Sequence, residues 1–267
     1  MLLHRALRTP RRAAALLAVT LAMALAALLP GCGGGGGAAT PPAAPADLSV
    51  AFFGNSHTQW HDVPGLVRQL LQAAEPSRSV ATATAPGLLF LDERLADAAS
   101  LALLQGQPWQ ATVLQAQRYS LSGQVEYSTA EAQAWVRMTR AAGGVPVLFA
   151  EWPRRGIDES ARIFTLYTSI ARAEPACVPP SPPACDLAAA QHPAIVLHAA
   201  DGNHASPAGA LLAALLLAST LGGHAPTDFP NLAAAPVDGA TQAVLRDVAA
   251  QAARQVSPWA WCPADQP

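Results

Sequence analysis

The chain has 267 residues, a formal net charge of −2 at pH 7, and 16 basic against 18 acidic residues. So few cations, four of them close to the N-terminus, give no basic surface for the phosphates of nucleic acid, and we expect no nucleic-acid partner. A hydrophobic content of 51% is enough for a well-packed core.

The N-terminus has the order of an export signal, in which positive charges precede an unbroken apolar run over residues 13–29. Leu29-Pro30-Gly31-Cys32 follows and resembles the end of a bacterial lipoprotein signal, which is cleaved before a cysteine that becomes lipidated. We therefore expect a signal peptide over 1–31 and a lipid anchor at Cys32, with an ordinary secretory signal or an N-terminal membrane anchor as alternatives. The protein would then be held at the cell envelope, in the periplasm or at the cell surface. The early charges are Arg5, Arg8, Arg11 and Arg12.

Residues 32–46 are rich in glycine, alanine and proline, which predicts a flexible tether without a core of its own. The remaining segment, 47–267, has a suitable length for one domain. Its longest apolar run, 208–221, is shorter than the roughly 18 residues that a membrane span needs, and a buried helix is the better interpretation.

Short apolar strands alternate with helical patterns through this domain. The predicted strands are Leu48–Phe53, Ser79–Ala83, Ala111–Ala116, Val145–Ala150 and Ala194–His198. The predicted helices lie near 63–74, 90–104, 129–142, 158–173, 207–221 and 240–254. This alternation indicates a three-layer α/β/α sandwich with a five-stranded, mostly parallel sheet.

Ligands of such sheets bind beyond the carboxyl ends of the strands. Ser56 follows the first strand, Gln115 ends the third, Trp152 follows the fourth and Asp201 follows the fifth. We expect these residues to lie along one edge of the sheet.

Two short motifs carry groups that a serine hydrolase needs. Gly54-Asn55-Ser56 places a hydroxyl just past the tip of the first strand, and Asp201-Gly202-Asn203-His204 places an acid and an imidazole three residues apart. A serine hydroxyl is a poor nucleophile unless a base takes its proton, and that base needs a carboxylate to orient it. His57 and His61, which flank the serine, are alternative bases.

With these motifs the chain resembles the SGNH (GDSL-like) hydrolase superfamily, whose members are three-layer α/β/α esterases with a flavodoxin-like sheet. Gly54-Asn55-Ser56 matches the Gly-Asp-Ser block in the form of a bacterial Gly-Asn-Ser branch, and Asp201-x-x-His204 matches the last block. The resemblance implies that Ser56 is the nucleophile, His204 the general base and Asp201 the residue that orients it.

The same resemblance implies an oxyanion hole. The N–H of Ser56 and the N–H of Gly87, which fits the family's second-block glycine loosely, would be two donors. The family's third block, Gly-x-Asn-Asp, is absent, and the side chain of Gln115 would replace its asparagine. We further expect Asn55, His57 and Trp152 to line the substrate cleft.

Three cysteines remain if Cys32 is lipidated, and they allow three single pairings. Proximity favours a disulfide between Cys177 and Cys185, which bracket a stiff, proline-rich loop. We expect no metal site, because no paired Cys or His spacing typical of zinc is present, and no other cofactor.

The sequence thus predicts an esterase for small acyl esters, with O-acetyl groups on carbohydrate as one substrate class implied by the family. A lipase or thioesterase on the same scaffold is an alternative, since Leu88, Leu89 and Phe90 follow Gly87. Because the third block is altered, a non-catalytic envelope protein that binds a glycan or a protein partner is another. A nucleotide-binding flavodoxin-like domain is disfavoured, because the loop after the first strand lacks a glycine-rich phosphate cradle.

Overall fold

The computed structural model describes residues 46–264, so the expected signal peptide, Cys32 and nearly all of the tether lie outside the described residues. Within this range the strands are β1 (Leu48–Phe53), β2 (Val80–Thr84), β3 (Ala111–Leu114) and β4 (Val145–Leu148). The helices are α1 (Ser56–Gln59), α2 (Val63–Ala74), α3 (Leu91–Arg94), α4 (Ala98–Gln105), α5 (Ala130–Ala141), α6 (Ser160–Ala173), α7 (Ser181–Gln191), α8 (Pro207–Gly222) and α9 (Gly239–Gln255). Short 3-10 helices cover Trp60–Asp62 and Pro226–Asp228.

The four strands form one parallel sheet in the order β2-β1-β3-β4. In its register Leu48 lies beside Val80, and Ala111 lies between Val50 and Val145. The chain runs from β1 to β2 on one side of β1 and then crosses back to place β3 on the other side of β1. The crevice at the carboxyl ends of β1 and β3 is therefore the topological switch point, where ligands of such sheets bind.

Helices cover both faces of the sheet and complete three layers. Val50 and Phe52 face a core that contains residues of α2, α8 and α9. Ala51 and Phe53 face a second core with residues of α3, α5 and α6. Neighbouring residues of β1 serve different cores because side chains alternate across a strand. The predicted α/β/α fold is confirmed.

The predicted fifth strand, 194–198, does not join this sheet. The outer edge of β4 is occupied by the backbone at Cys177, whose carbonyl accepts from the Leu148 N–H and whose N–H donates to the Pro146 carbonyl. Residues 194–198 instead contribute an antiparallel bridge between His198 and Ala205. That bridge closes the turn over residues 199–204, so the segment still shapes the predicted site.

Helix α7 begins where a stiff loop was predicted. Pro182 and Pro183 lie in its first turn, where the missing proline N–H leaves no helical hydrogen bond unmade. The helix predicted near 90–104 is divided into α3 and α4, which are separated by Asp97, the N-cap of α4.

The predicted disulfide between Cys177 and Cys185 is wrong. Cys177 is bonded to Cys262, which lies 85 residues later in the chain. The N–H of Val178 donates to the carbonyl of Pro258, which brings the C-terminal segment against Cys177. Helix α7 turns Cys185 into the core, where its thiol is free and burial raises its pKa to about 12.

Helix α8 is a buried core helix, as predicted. Over residues 46–264, none of the helices combines the length and apolarity that crossing a membrane requires. In the same range, no three His, Cys, Asp or Glu side chains are grouped so that they could hold a metal ion.

Candidate active site

Ser56 is the first residue of α1, three residues beyond the end of β1. The turn between them depends on Gly54, because a Cβ at that position would lie 2.6 Å from Gln115 Oε1. Asn55 caps α1 by accepting the His57 N–H on its Oδ1 at 3.0 Å. The N–H of Ser56, at the helix start, has no acceptor within the helix.

Asp201 and His204 are fixed in one tight turn. Asp201 Oδ1 accepts the backbone N–H groups of Asn203 at 2.9 Å and of His204 at 3.0 Å. Gly202 adopts a left-handed conformation with φ +71°. From behind the turn, Trp152 Nε1 donates to the carbonyl of Asn203 at 2.9 Å.

A continuous chain of hydrogen bonds joins this turn to Ser56. Asp201 Oδ2 lies 2.6 Å from His204 Nδ1, and His204 Nε2 lies 2.8 Å from Ser56 Oγ. Hydrogen bonds from the His204 ring and from the Asn203 and His204 amides hold the pKa of Asp201 well below its ordinary value. An ionised carboxylate at Nδ1 keeps the proton there, which leaves Nε2 to accept the Ser56 proton.

Aromatic rings enclose the His204 imidazole. Trp60 stacks on it with ring centroids 4.5 Å apart and planes 24° from parallel. His57 lies 5.4 Å from it on another side and 5.1 Å from Trp152. Trp60 was not identified from the sequence, although its spacing of four residues from Ser56 is that of helix neighbours.

His57 and Trp152 were predicted to line the substrate cleft, but both side chains are buried behind the site. Only 9% of His57 and 3% of Trp152 is exposed. Burial, followed by repulsion from His204, lowers the pKa of His57 to about 4, so the ring is neutral near neutral pH. Hydrogen bonding with Asn203 and the charge of Asp201 oppose this shift only in part. Asn55 is half-buried at the edge formed by the carboxyl ends of the strands, which we call the rim.

Ser56 and Gly87 offer two backbone donors at this rim. Gly87 has a left-handed φ of +78°, and its N–H makes no hydrogen bond within residues 46–264. Gln59 Nε2, on the same helix as Ser56, donates to the Gly87 carbonyl at 2.9 Å and keeps the two turns adjacent. Uncommitted N–H groups of this kind are what an oxyanion hole requires.

Gln115 was predicted to donate from its side-chain amide at this rim, but it does not. Its Oε1 accepts from the Asn55 N–H at 2.9 Å and from Thr58 Oγ1 at 2.8 Å. Its Nε2 donates to Glu151 Oε2 at 3.4 Å, and the whole side chain is buried. Both ends of the amide are therefore engaged beneath the turn, which makes Gln115 a support for the turn that carries Ser56.

No protein-family model matches this sequence, and no curated protein does. Among solved structures, a DUF4886 family protein from Bacteroides uniformis is 16% identical with a TM-score of 0.63, covering 78% of this chain and 95% of that one. That likeness shows the fold. A protein of Slackia heliotrinireducens described as a candidate SGNH hydrolase is 25% identical with a TM-score of 0.49, covering 64% and 97%. The esterase EstA from Pseudoalteromonas sp. is 15% identical with a TM-score of 0.46, covering 64% and 94%.

Glu151 is a buried carboxyl group that the sequence analysis did not identify. Its Oε2 accepts from Tyr167 Oη at 2.8 Å, and that hydroxyl accepts the Gln117 N–H at 3.1 Å. Burial raises the pKa of Glu151 to about 7, against the opposing effect of the hydrogen bonds from Tyr167 and Gln115. Between about pH 4.5 and 7 the folded protein therefore keeps a proton on Glu151 that the unfolded chain has already released.

Replacing Glu151 by glutamine is expected to remove one component of the pH dependence of stability. The raised pKa means that this component stabilises the fold at low pH and is lost as pH rises through about 7. Wild type should lose on the order of 3 kcal/mol relative to Glu151→Gln between pH 4 and 8, since one pKa unit corresponds to about 1.4 kcal/mol. Urea denaturation at several pH values measures this difference. Parallel curves for both proteins would contradict it, and Glu126→Gln, at an exposed glutamate, is the control.

Proposed function

We propose that this protein is a serine esterase of the SGNH type, in a Gly-Asn-Ser branch, that hydrolyses small acyl esters through an acyl-enzyme intermediate. The observation that carries the proposal is the hydrogen-bonded series from Asp201 through His204 to Ser56. Two side chains 148 residues apart in sequence meet at 2.8 Å in the order that proton transfer needs.

Acylation of Ser56 would be the first half of the reaction. Ser56 Oγ attacks the ester carbonyl carbon while its proton passes to His204 Nε2. The carbonyl oxygen becomes an oxyanion that accepts from the N–H groups of Ser56 and Gly87. When the tetrahedral intermediate collapses, the bond to the alcohol oxygen breaks and His204 returns the proton to the leaving alcohol.

Hydrolysis of the acyl-enzyme would use the same groups. A water molecule gives a proton to His204 Nε2 and attacks the acyl carbon. The second intermediate collapses with cleavage of the bond to Ser56 Oγ, which takes the proton back from His204. The carboxylic acid leaves, and the ionised Asp201 stabilises the imidazolium in both halves.

The space beside Gly87 suits a small substrate. A cleft of about 310 Å³ there is lined by Gln59, Asp62, Pro64 and residues 84–87; it adjoins the proposed oxyanion hole through Gly87, whereas Ser56 and His204 do not line it. This volume is at the low end of ligand sites, which suits a short acyl chain or one sugar ring. Acetyl esters of carbohydrate are the substrate class we propose.

Leu88 favours a second candidate, a lipase or thioesterase. Its side chain follows Gly87 directly and is 58% exposed. An exposed leucine beside the oxyanion hole would contact a longer acyl chain, so the chain-length preference separates the two candidates.

Turnover of an ester series by the full chain, purified in detergent, tests this function. We expect kcat/KM to be highest for p-nitrophenyl acetate and to fall through butyrate to octanoate, with acetate released from an acetylated oligosaccharide. A maximum at octanoate, or with acyl-coenzyme A, would favour the lipase or thioesterase. Failure to hydrolyse any of these esters would contradict an esterase of either kind.

We also propose that the protein is exported and anchored by a lipid on Cys32. The disulfide between Cys177 and Cys262 supports export, because disulfides persist in oxidising compartments. Mass spectrometry of the N-terminal peptide tests the anchor, and an unmodified Cys32 would contradict it.

A further inference from the structure

Arg94, the last residue of α3, has a completely buried side chain that the reaction described above does not use. Its Nη1 donates to the Pro86 carbonyl at 3.1 Å and to Ser100 Oγ at 2.7 Å. Its Nη2 donates to the Gly87 carbonyl at 3.0 Å and to the carbonyl of Gly54. One guanidinium group thus binds three backbone carbonyls.

These carbonyls belong to the two turns that form the proposed oxyanion hole. Gly54 is in the turn that carries Ser56, and Pro86 and Gly87 form the turn opposite it. The Pro86 carbonyl and the Gly87 N–H are parts of one peptide unit, which is planar and trans, so they point in opposite directions. The hydrogen bond from Arg94 to Pro86 therefore sets the direction of the Gly87 N–H.

The charge of Arg94 is not neutralised by a directly bonded carboxylate among the described residues. Ser100 Oγ, which accepts from Arg94, donates to Asp97 Oδ2 at 2.7 Å, so that acid is reached only through a hydroxyl. Burial lowers the pKa of Arg94, and the charges of Asp97 and Glu93 oppose this effect. Arginine nevertheless stays protonated in proteins.

We propose that Arg94 is a positioning residue for the oxyanion hole, which acts through the Pro86–Gly87 peptide and holds this turn against the turn of Ser56. The inference rests on the proposed esterase function. The guanidinium group orients the Gly87 N–H before substrate binds, and a cation behind that peptide polarises the N–H toward an anion. Both effects favour the transition state over the bound ester, so they act on kcat more than on KM.

Steady-state kinetics of Arg94→Lys and Arg94→Gln test this role with p-nitrophenyl acetate. We expect kcat of Arg94→Gln to fall about 100-fold with KM changed less than about threefold, near the effect of losing one oxyanion donor. Arg94→Lys keeps the charge but not the fork of donors, and its kcat should be intermediate. The control is Arg118→Gln, at a half-exposed arginine that pairs with Asp92 and Glu93 of α3, and its kcat should match wild type.

Circular dichroism and thermal unfolding show whether each variant is folded. A folded Arg94→Gln with wild-type kcat, while wild type turns over ester and is acylated at Ser56, overturns the inference alone. A wild type without turnover overturns the proposed function and this inference with it. If neither Arg94 variant folds, Ser100→Ala decides, since it removes the hydroxyl that orients Nη1. A several-fold lower kcat at unchanged KM supports the inference, and wild-type kcat overturns it.

Discussion

Replacing Ser56 or His204 by alanine is expected to lower kcat for p-nitrophenyl acetate about 10⁵-fold, because catalytic residues that act as one hydrogen-bonded unit each cause a large loss when removed. The double variant should be no slower than either single variant. The reason is that Ser56 Oγ and His204 Nε2, 2.8 Å apart, act as one proton-transferring pair, so losing either partner already removes it. Steady-state and single-turnover rates of the three variants measure this non-additivity.

Ser122→Ala, at an exposed serine of the loop before α5, is the matched control and should keep the wild-type rate. Two results would contradict the assignment. One is a Ser56→Ala variant that retains turnover, and the other is a double variant whose loss equals the product of two independent losses. The second would mean that the two side chains contribute separately.

Replacing Cys177 by alanine is expected to have the largest effect on stability. The disulfide with Cys262 closes a loop of 85 residues, which the chain-entropy relation equates with about 4–5 kcal/mol of unfolding free energy. Urea denaturation of oxidised wild type and Cys177→Ala measures the difference. A reducing agent should destabilise wild type by a similar amount and leave the variant unchanged.

Cys185→Ala is the control for this pairing. It removes a buried thiol, so we expect a loss of about 1 kcal/mol and a response to reducing agent like that of wild type. If Cys185→Ala lost the response to reducing agent while Cys262→Ala retained it, the disulfide would lie between Cys177 and Cys185.

Elements that depend on local patterns could be predicted from the sequence. The run Leu48–Phe53 forms β1 with the predicted bounds, and α2 begins and ends as its apolar spacing indicates. Ser206 caps α8 through its Oγ, with Pro207 in the first turn, as that dipeptide predicts. In each case the information is contained within a few consecutive residues.

The errors concern contacts between distant segments. Sequence proximity favoured Cys185 as the partner of Cys177, whereas a backbone hydrogen bond between Val178 and Pro258 brings Cys262 there. The segment 194–198 has the composition of a strand, but the edge of β4 was already occupied. Competition for one edge cannot be judged from either segment alone.

Candidate residues of the site divide in the same way. The motifs marked Ser56, Asp201 and His204, which the structure places in hydrogen-bond contact. Gln115 was expected to donate at the rim, but buried hydrogen bonds with Thr58 and Glu151 hold its amide beneath the turn. Arg94 belongs to no recognisable motif, because the role that we propose for it depends on carbonyls of two turns elsewhere in the sequence.

Covalent labelling with a fluorophosphonate tests most directly whether Ser56 is an activated nucleophile. In this reaction Ser56 Oγ attacks phosphorus and fluoride leaves, so the adduct stays on the reacting serine. We predict a single adduct, located by peptide mass spectrometry on Ser56 and absent from folded His204→Ala. An unlabelled, folded wild-type protein, or an adduct on another residue, would contradict the account.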